Sequence, residues 1–288
     1  MLTNRTPLRV AVLCSRRAPG LAHLLARATA GERDFEIVSV ITSEPSCAEA
    51  DSVRAHGVPL LAHDIRAFYA ARSSNVYRDF TTRQAYDRET VALLEASAPH
   101  IVLLDGYLYL LTSPMLERYS NRMLNLHFSD LTLRRADHGP VYPGIRAVRD
   151  ALIDGQAETR ATVHLVNDEP DGGAPLVRSW AYPVSPLVAD ARAWGATDML
   201  KAYAFAHQEW MMRDGSGPLL AAALSLVASG AIDLDAFRDR KAGDAVPWLL
   251  DERGRLTPPP DDQARGQRAH VLALLAASRP SGVLAATS

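Results

Sequence analysis

Residues 85–111 read AYDRETVALLEASAPHIVLLDGYLYLL, and the change of pattern inside this stretch sets the fold. From Ala85 to Ala98 apolar residues return at helical spacing, with mixed charges between them. After Pro99 the pattern gives way to a nearly continuous apolar run, HIVLLDGYLYLL (100–111), which reads as a buried strand through to its YLYLL end. The same alternation extends upstream. LRVAVLC (8–14) and FEIVSVITS (35–43) read as strands, separated by a turn at SRRAPG and a helix at LAHLLARATA. VRAHGVPLLAHD gives a helix end, a stop at Gly57 and a short third strand. Strand and helix taking turns in this way predict an α/β fold: a doubly wound, mainly parallel sheet with helices on both faces. In such sheets the sites lie at the carboxyl ends of strands.

Downstream, residues 113–122 predict a short helix with Pro114 in its first turn. MLNLHFS (123–129) is a strand, and residues 130–144 carry too little apolar material to be anything but a loop. IRAVRDALIDGQ predicts a helix ending at Gly155, ATVHLVN (161–167) a strand, DEPDGGAP a tight turn, and LVRSWAYPV (176–184) an antiparallel return. Residues 196–212 and 218–231 read as two helices split by DGSGP. The remainder holds PWLL, the Pro-rich TPPPDD, an Ala-rich segment (HVLALLAAS) with helical character, and an end, RPSGVLAATS, expected to fray.

With 288 residues, 48% of them apolar, the chain has material for one large domain or two small ones. Its formal charge of −2 argues against non-specific binding to nucleic acid or membrane. Cys14 and Cys47 show no metal-ligand spacing, and two cysteines in a chain of this size fit a reducing compartment better than a disulfide framework. MLTNRTPLRVAVLCSRRAPG lacks the long apolar core of a signal peptide, and no run reaches transmembrane length. A soluble cytoplasmic protein, monomer or homodimer, is expected.

Three scattered residues carry the chemistry: Asn125 and His127 in RMLNLHFS, and Asp171 in TVHLVNDEPDGG. Strand alternation places Asn125 and His127 on one face. Passing an acyl group between amines needs a donor for a developing oxyanion, a group that moves protons near neutral pH, and a carboxylate that biases it. An amide, an imidazole and an aspartate supply these, with no metal and no covalent intermediate. Taken singly, each has a plainer reading: a turn cap, a hydrogen-bonded core histidine and a turn former before Gly-Gly.

AYDRE (85–89), APHIVLLDGYLYLL (98–111), SPMLERYSNRMLNLHFS (113–129) and TVHLVNDEPDGG (162–173) together resemble the folate-dependent formyltransferases, most of all those that formylate phosphoribosylglycinamide. The resemblance implies 10-formyltetrahydrofolate as donor, a small amine as acceptor, and catalytic roles for Asn125, His127 and Asp171. It places a pterin pocket on Tyr107, Leu108, Tyr109, Leu110 and Leu111 and on Val166, Asn167, Asp168 and Glu169, with His164 in support. It also implies a formyltransferase domain over 1–250, with an acceptor half to about 105, a folate half from about 106 to 210, an extension to about 258, and a tail over 259–288. Arg83 matches a ligand-facing arginine of the family and Glu209 a residue that contacts the substrate sugar; either could instead belong to a surface ion pair.

Two departures bear on the acceptor. The first strand–helix turn, Ser15-Arg16-Arg17-Ala18-Pro19-Gly20, lacks the Gly- and Asn-rich composition that wraps a phosphate in the purine enzyme. Arg16 and Arg17 either hold an anionic group by their side chains or form a solvated face. A lengthened link, SDLTLRRADHGPVYPG (129–144), brings Arg134, Arg135 and His138, which either select an anionic acceptor or shield the site. The expectation is formyl transfer to a small, anionic amine. The alternatives are formylation of phosphoribosylglycinamide itself, hydrolysis of the formyl donor, and folate binding without catalysis; the short segment before the first strand weighs against hydrolysis.

Overall fold

The structure, a computed structural model, describes residues 6–31, 34–74, 79–237 and 245–260. Its centre is β1 (Leu8–Cys14), whose side chains alternate between two cores. Val10, Val12 and Cys14 pack with Leu21, Leu24 and Leu25 of α1 (Leu21–Thr29). Ala11 and Leu13 face the other way, into a second core. Burial on both faces is why this strand and β2 (Phe35–Thr42) read as apolar runs.

After α2 (Ala50–Ala55), β3 (Leu60–Ala62) and α3 (Ile65–Ala70) comes α4 (Phe80–Glu95). It begins earlier than its apolar spacing suggests, because Asp79 caps it by accepting the N–H groups of Thr81 and Thr82. The strand β4 spans only Ile101–Leu104. The expectation that it continues to Leu111 fails: Leu108 and Leu110 are mostly exposed, and residues 105–111 leave the sheet as a loop. Next come α5 (Ser113–Arg118), β5 (Met123–His127), α6 (Ala147–Ile153), β6 (Glu158–Thr159), β7 (Thr162–Leu165), β8 (Pro175–Arg178), β9 (Tyr182–Pro183) and α7 (Leu187–Ala193). Leu94 of α4 and Met115 of α5 complete the second core.

A single helix, α8 (Thr197–Ala228), runs where two were expected, with Pro218 inside it. The stretch DGSGP is a packing surface here, not a break. Gly215 lies against the Tyr182 hydroxyl and Gly217 against His23 of α1, positions where any side chain would collide. Close approach on both sides holds the helix through the proline, whose missing N–H would otherwise favour a kink. The strands β10 (Trp248–Leu250) and β11 (Leu256–Thr257) finish the described chain; the Ala-rich segment and the end expected to fray lie outside it.

The main sheet has the order β11-β10-β8-β7-β5-β4-β1-β2-β3. From β3 through β5 all pairs are parallel. β7 is antiparallel to both β5 and β8, β10 is parallel to β8, and β11 turns back on β10. β6 and β9 pair separately. The strand order reverses between β1 and β4, so the loops 15–20 and 105–112 face each other across a crevice, the usual place for a ligand in such a sheet.

Candidate active site

Alternation along β5 puts Asn125 and His127 on the same side, and the register of β5 with β7 sets Asn125 opposite His164. That cross-strand pairing fixes the amide. His164 donates its Nδ1–H to the Leu165 carbonyl at 2.7 Å, which leaves Nε2 as an acceptor. Asn125 Nδ2 donates to it at 3.0 Å. Burial pushes the His164 pKa down to about 4, so at neutral pH the ring stays uncharged and able to accept. An amide has a second N–H and a carbonyl oxygen. Asn125 lines the cleft, and these groups are its capacity for a ligand.

His127 is held from both nitrogens. Nε2–H donates to the Tyr142 carbonyl at 2.9 Å, and Nδ1 faces Asp171 Oδ1 at 3.5 Å. Asp171 in turn accepts the Gly144 N–H at Oδ2, at 2.7 Å, and stands 3.7 Å from His164 Nε2. Its backbone is left-handed, with φ of 55°, a conformation Asp tolerates better than most residues. Gly173 follows because a side chain there would strike the Leu165 carbonyl. Arg134 braces the turn by donating to the carbonyls of Gly172 and Gly173 at 3.3 and 3.2 Å. Tyr142 and Gly144, the end of the lengthened link, thus set the imidazole and the carboxylate together. Tyr142 acts through its backbone, so its side chain carried no chemical cue; the Pro-Gly pair at 143–144 was the available signal for a turn there.

The trio opens onto a cleft of about 280 Å³. Its walls are the segment 104–111, the segment 125–128, Gly144 to Val148, and the loop 166–171, with Gln208 and Met212 from α8. Every residue expected in the pterin pocket lines it. Leu110, 64% exposed, and Ile145, 75% exposed, present apolar surface at this cleft. Exposed apolar side chains gathered around a concave site favour a flat apolar ligand. Hydrogen-bonding groups meet such a surface in the loop 166–171, so the walls suit a ring with a polar edge.

The formyl transferase family profile matches residues 8–193, well over half of the chain and including all three chemical residues. The chain belongs to the formyl transferase family. It is 38% identical over 105 residues to the phosphoribosylglycinamide formyltransferase of Escherichia coli (strain K12), covering 36% of this chain and 45% of that protein. It is 26% identical over 196 residues to the formyltetrahydrofolate deformylase of the same organism, covering 67% of this chain and 59% of that one. The crystal structure of glycinamide ribonucleotide transformylase 1 from Symbiobacterium toebii superposes with a TM-score of 0.58 at 26% identity, covering 80% of this chain and 92% of that chain. The chain spans less than half the length of the first curated relatives it matches.

Apart from Arg134, which braces the turn after Asp171, the residues of this formyl transferase expected to bind an acceptor do not contact the trio. Arg17 forms a two-pronged pair with Glu209, at 2.7 and 2.9 Å. Arg16 is exposed and stands 3.8 Å from Glu44. Arg83, 4% exposed, pairs with Asp87 at 2.8 Å and donates to the Tyr107 hydroxyl at 2.9 Å. Asp87 also takes the N–H and hydroxyl of Thr112, each at 2.7 Å. Arg83 therefore braces the wall from behind. Arg135 pairs with Asp137, and His138 sits exposed at the tip of the link. Among the described residues, none of these nor any other arginine or lysine lines the cleft. Asp105 is one that does line it and that the motif reading passed over. Its position in DGY, just past the end of a buried strand, was the available signal. Burial pushes its pKa up to about 7, and only the N–H groups of Gly20 and Leu21 work against that.

Proposed function

We propose that this chain transfers a formyl group from 10-formyltetrahydrofolate to the nitrogen of a small amine. The meeting of Asn125, His127 and Asp171 on one wall of a cleft with apolar sides carries this reading. The segment 107–111 and the loop 166–169 would hold the pterin. In the reaction the amine nitrogen forms a bond to the formyl carbon, the bond from that carbon to the folate nitrogen breaks, and one proton passes from the amine to that nitrogen. Asn125, fixed by neutral His164, offers an N–H to the oxygen as negative charge grows there. His127 stands between Asp171 and the Tyr142 carbonyl, positioned to move a proton. The pair of His127 and Asp171 carries the proton from the acceptor to the departing nitrogen. No step asks for a metal.

The direct test is donor consumption, followed as tetrahydrofolate release, with and without added amines. Amine-dependent release lost in His127→Ala supports the reading; release unaffected by that change refutes it. The resemblance to a deformylase, with no arginine or lysine among the described residues that line the cleft, favours a second reading, in which water replaces the amine. Formate formed without any amine would select it. Among the described residues no helix is long and apolar enough to cross a membrane. The formal charge of −2 goes with a small-molecule acceptor and not a nucleic-acid partner.

A further inference from the structure

The first N–H groups of α1 lie at the crevice where the strand order reverses. Such groups have no partners within their own helix, and in sheets of this kind they commonly hold an anionic part of a ligand. Here the N–H groups of the loop leading into α1 are engaged by the protein's own carboxylates. Ala18 N–H donates to Glu49 Oε2 at 2.8 Å, and Gly20 N–H to Asp105 Oδ2 at 2.9 Å. Pro19, between them, has no N–H.

The cations of this corner are likewise engaged. Arg17 is held by Glu209, and Arg16 and Arg66 both approach Glu44 at 3.8 Å. Three arginines thus share the corner with four carboxylates. The loop is also sewn to the cleft wall. Ser15 N–H donates to the Gly106 carbonyl at 3.2 Å, and Leu108 N–H to Ser15 Oγ at 3.1 Å. The Arg17 carbonyl presses on Gly106, φ 74°, so closely that only glycine fits. Asp105 and Gly106 are at once the back of this corner and part of the cleft beside the trio. Asp105 Oδ1 is buried without a hydrogen-bond partner. An incoming phosphate would find the Ala18 and Gly20 N–H groups occupied, Arg17 already paired, and two fixed carboxylates.

We infer that Asp105 and Glu49 set acceptor specificity: they bar amines that carry a phosphate and leave the site to an uncharged or cationic primary amine. The amine itself rests on the proposed formyl transfer; the exclusion of phosphate does not. Two measurements separate the two. In the first, glycinamide ribonucleotide and its phosphate-free riboside are compared as acceptors. In the second, ribose 5-phosphate is titrated against the intact protein by calorimetry.

The expected results are kcat/KM for the riboside at least equal to that for the ribonucleotide, and no saturable binding of ribose 5-phosphate at millimolar concentration. Asp105→Ala should gain ribose 5-phosphate binding by about tenfold or more. Glu49→Gln, on a half-buried loop residue, should gain it too and serves if the Asp105 variant does not fold. A preference for the ribonucleotide of about tenfold or more, saturable binding by the unaltered protein, or no gain in either variant overturns the inference. If neither amine is formylated, the calorimetry alone decides it, while absence of turnover with every amine tried counts against the formyl-transfer reading only.

Discussion

At the end of β5, the polar groups converge and keep part of their bonding capacity for the cleft. At the end of β1, the polar groups consume one another. The first region contains Asn125, His127, His164 and Asp171, linked by contacts of 3.0 to 3.7 Å that leave Asn125 a second N–H and its carbonyl oxygen for a ligand. The second contains Ala18, Gly20, Arg17 and their carboxylate partners, linked by bonds of 2.7 to 2.9 Å. Both lie on one crevice, and both are rich in charge. The difference teaches that charge near a cleft is no guide to recognition until its partners are counted: a group already satisfied by the protein has little left to gain from a ligand.

The contrast breaks first if the converging region proves dispensable. His127→Ala and Asp171→Asn should each lower kcat/KM by about 1,000- to 10,000-fold with unchanged circular dichroism. Asparagine suits the second change because it tolerates the left-handed backbone of residue 171. Turnover near the unaltered rate would end the assignment. Asn125→Ala should cost about 100- to 1,000-fold, since one preorganised donor is lost. A loss confined to KM would mean that the amide binds the ground state only.

The next effect sharpens the comparison through pH. The His164 pKa is depressed in the fold, to about 4, against an ordinary value near ~6.5. Between these values the unfolded chain binds more protons, so this histidine's contribution to stability is full above the upper one and lost as pH falls through the window. Urea midpoints measured across it should therefore fall on acidification, and less steeply in His164→Asn. Identical slopes would show that the ring is not held neutral. The smallest effect belongs to the self-satisfied region. Arg17→Ala and Glu209→Ala, which break a partly exposed pair, should each change unfolding free energy by about 1 kcal/mol or less. They should also leave formyl transfer to a phosphate-free amine within a few-fold. A large loss of turnover in Arg17→Ala would return this arginine to the site.

Much of this was legible in the chain. The strands at 8–14 and 35–42 announced themselves because both faces are buried, and alternation along 123–127 placed Asn125 and His127 together. The trio was readable because its motifs follow strands whose ends define the site. The end of the 100–111 run was not. A leucine facing a ligand cleft and a leucine in a core look alike in sequence, so the pattern could not show where β4 stops. The DGSGP stretch misled for a related reason: local propensity marks a break, whereas tertiary contact with Tyr182 and His23 selects the small residues. Between a ligand contact and an ion pair for Arg17, Arg83 and Glu209 the sequence could not choose, because the partners, Glu209 for Arg17 and Asp87 for Arg83, can be matched only after the chain has folded.

The uninterrupted course of α8 has a consequence for how this cleft can change. Gln208 and Met212 face the cleft, Glu209 grips Arg17, and Gly215 and Gly217 touch two other elements, all on one rod. A residue inserted between them would rotate one set against the other by about 100°. It would also drive a side chain into Tyr182 or His23. Evolution and engineering alike can retune this side of the crevice residue by residue, but they cannot alter its length. Freedom to lengthen or shorten belongs to the opposite bank, the link at 129–144, which tolerates new residues so long as the backbone at Tyr142 and Gly144 returns to the imidazole and the carboxylate.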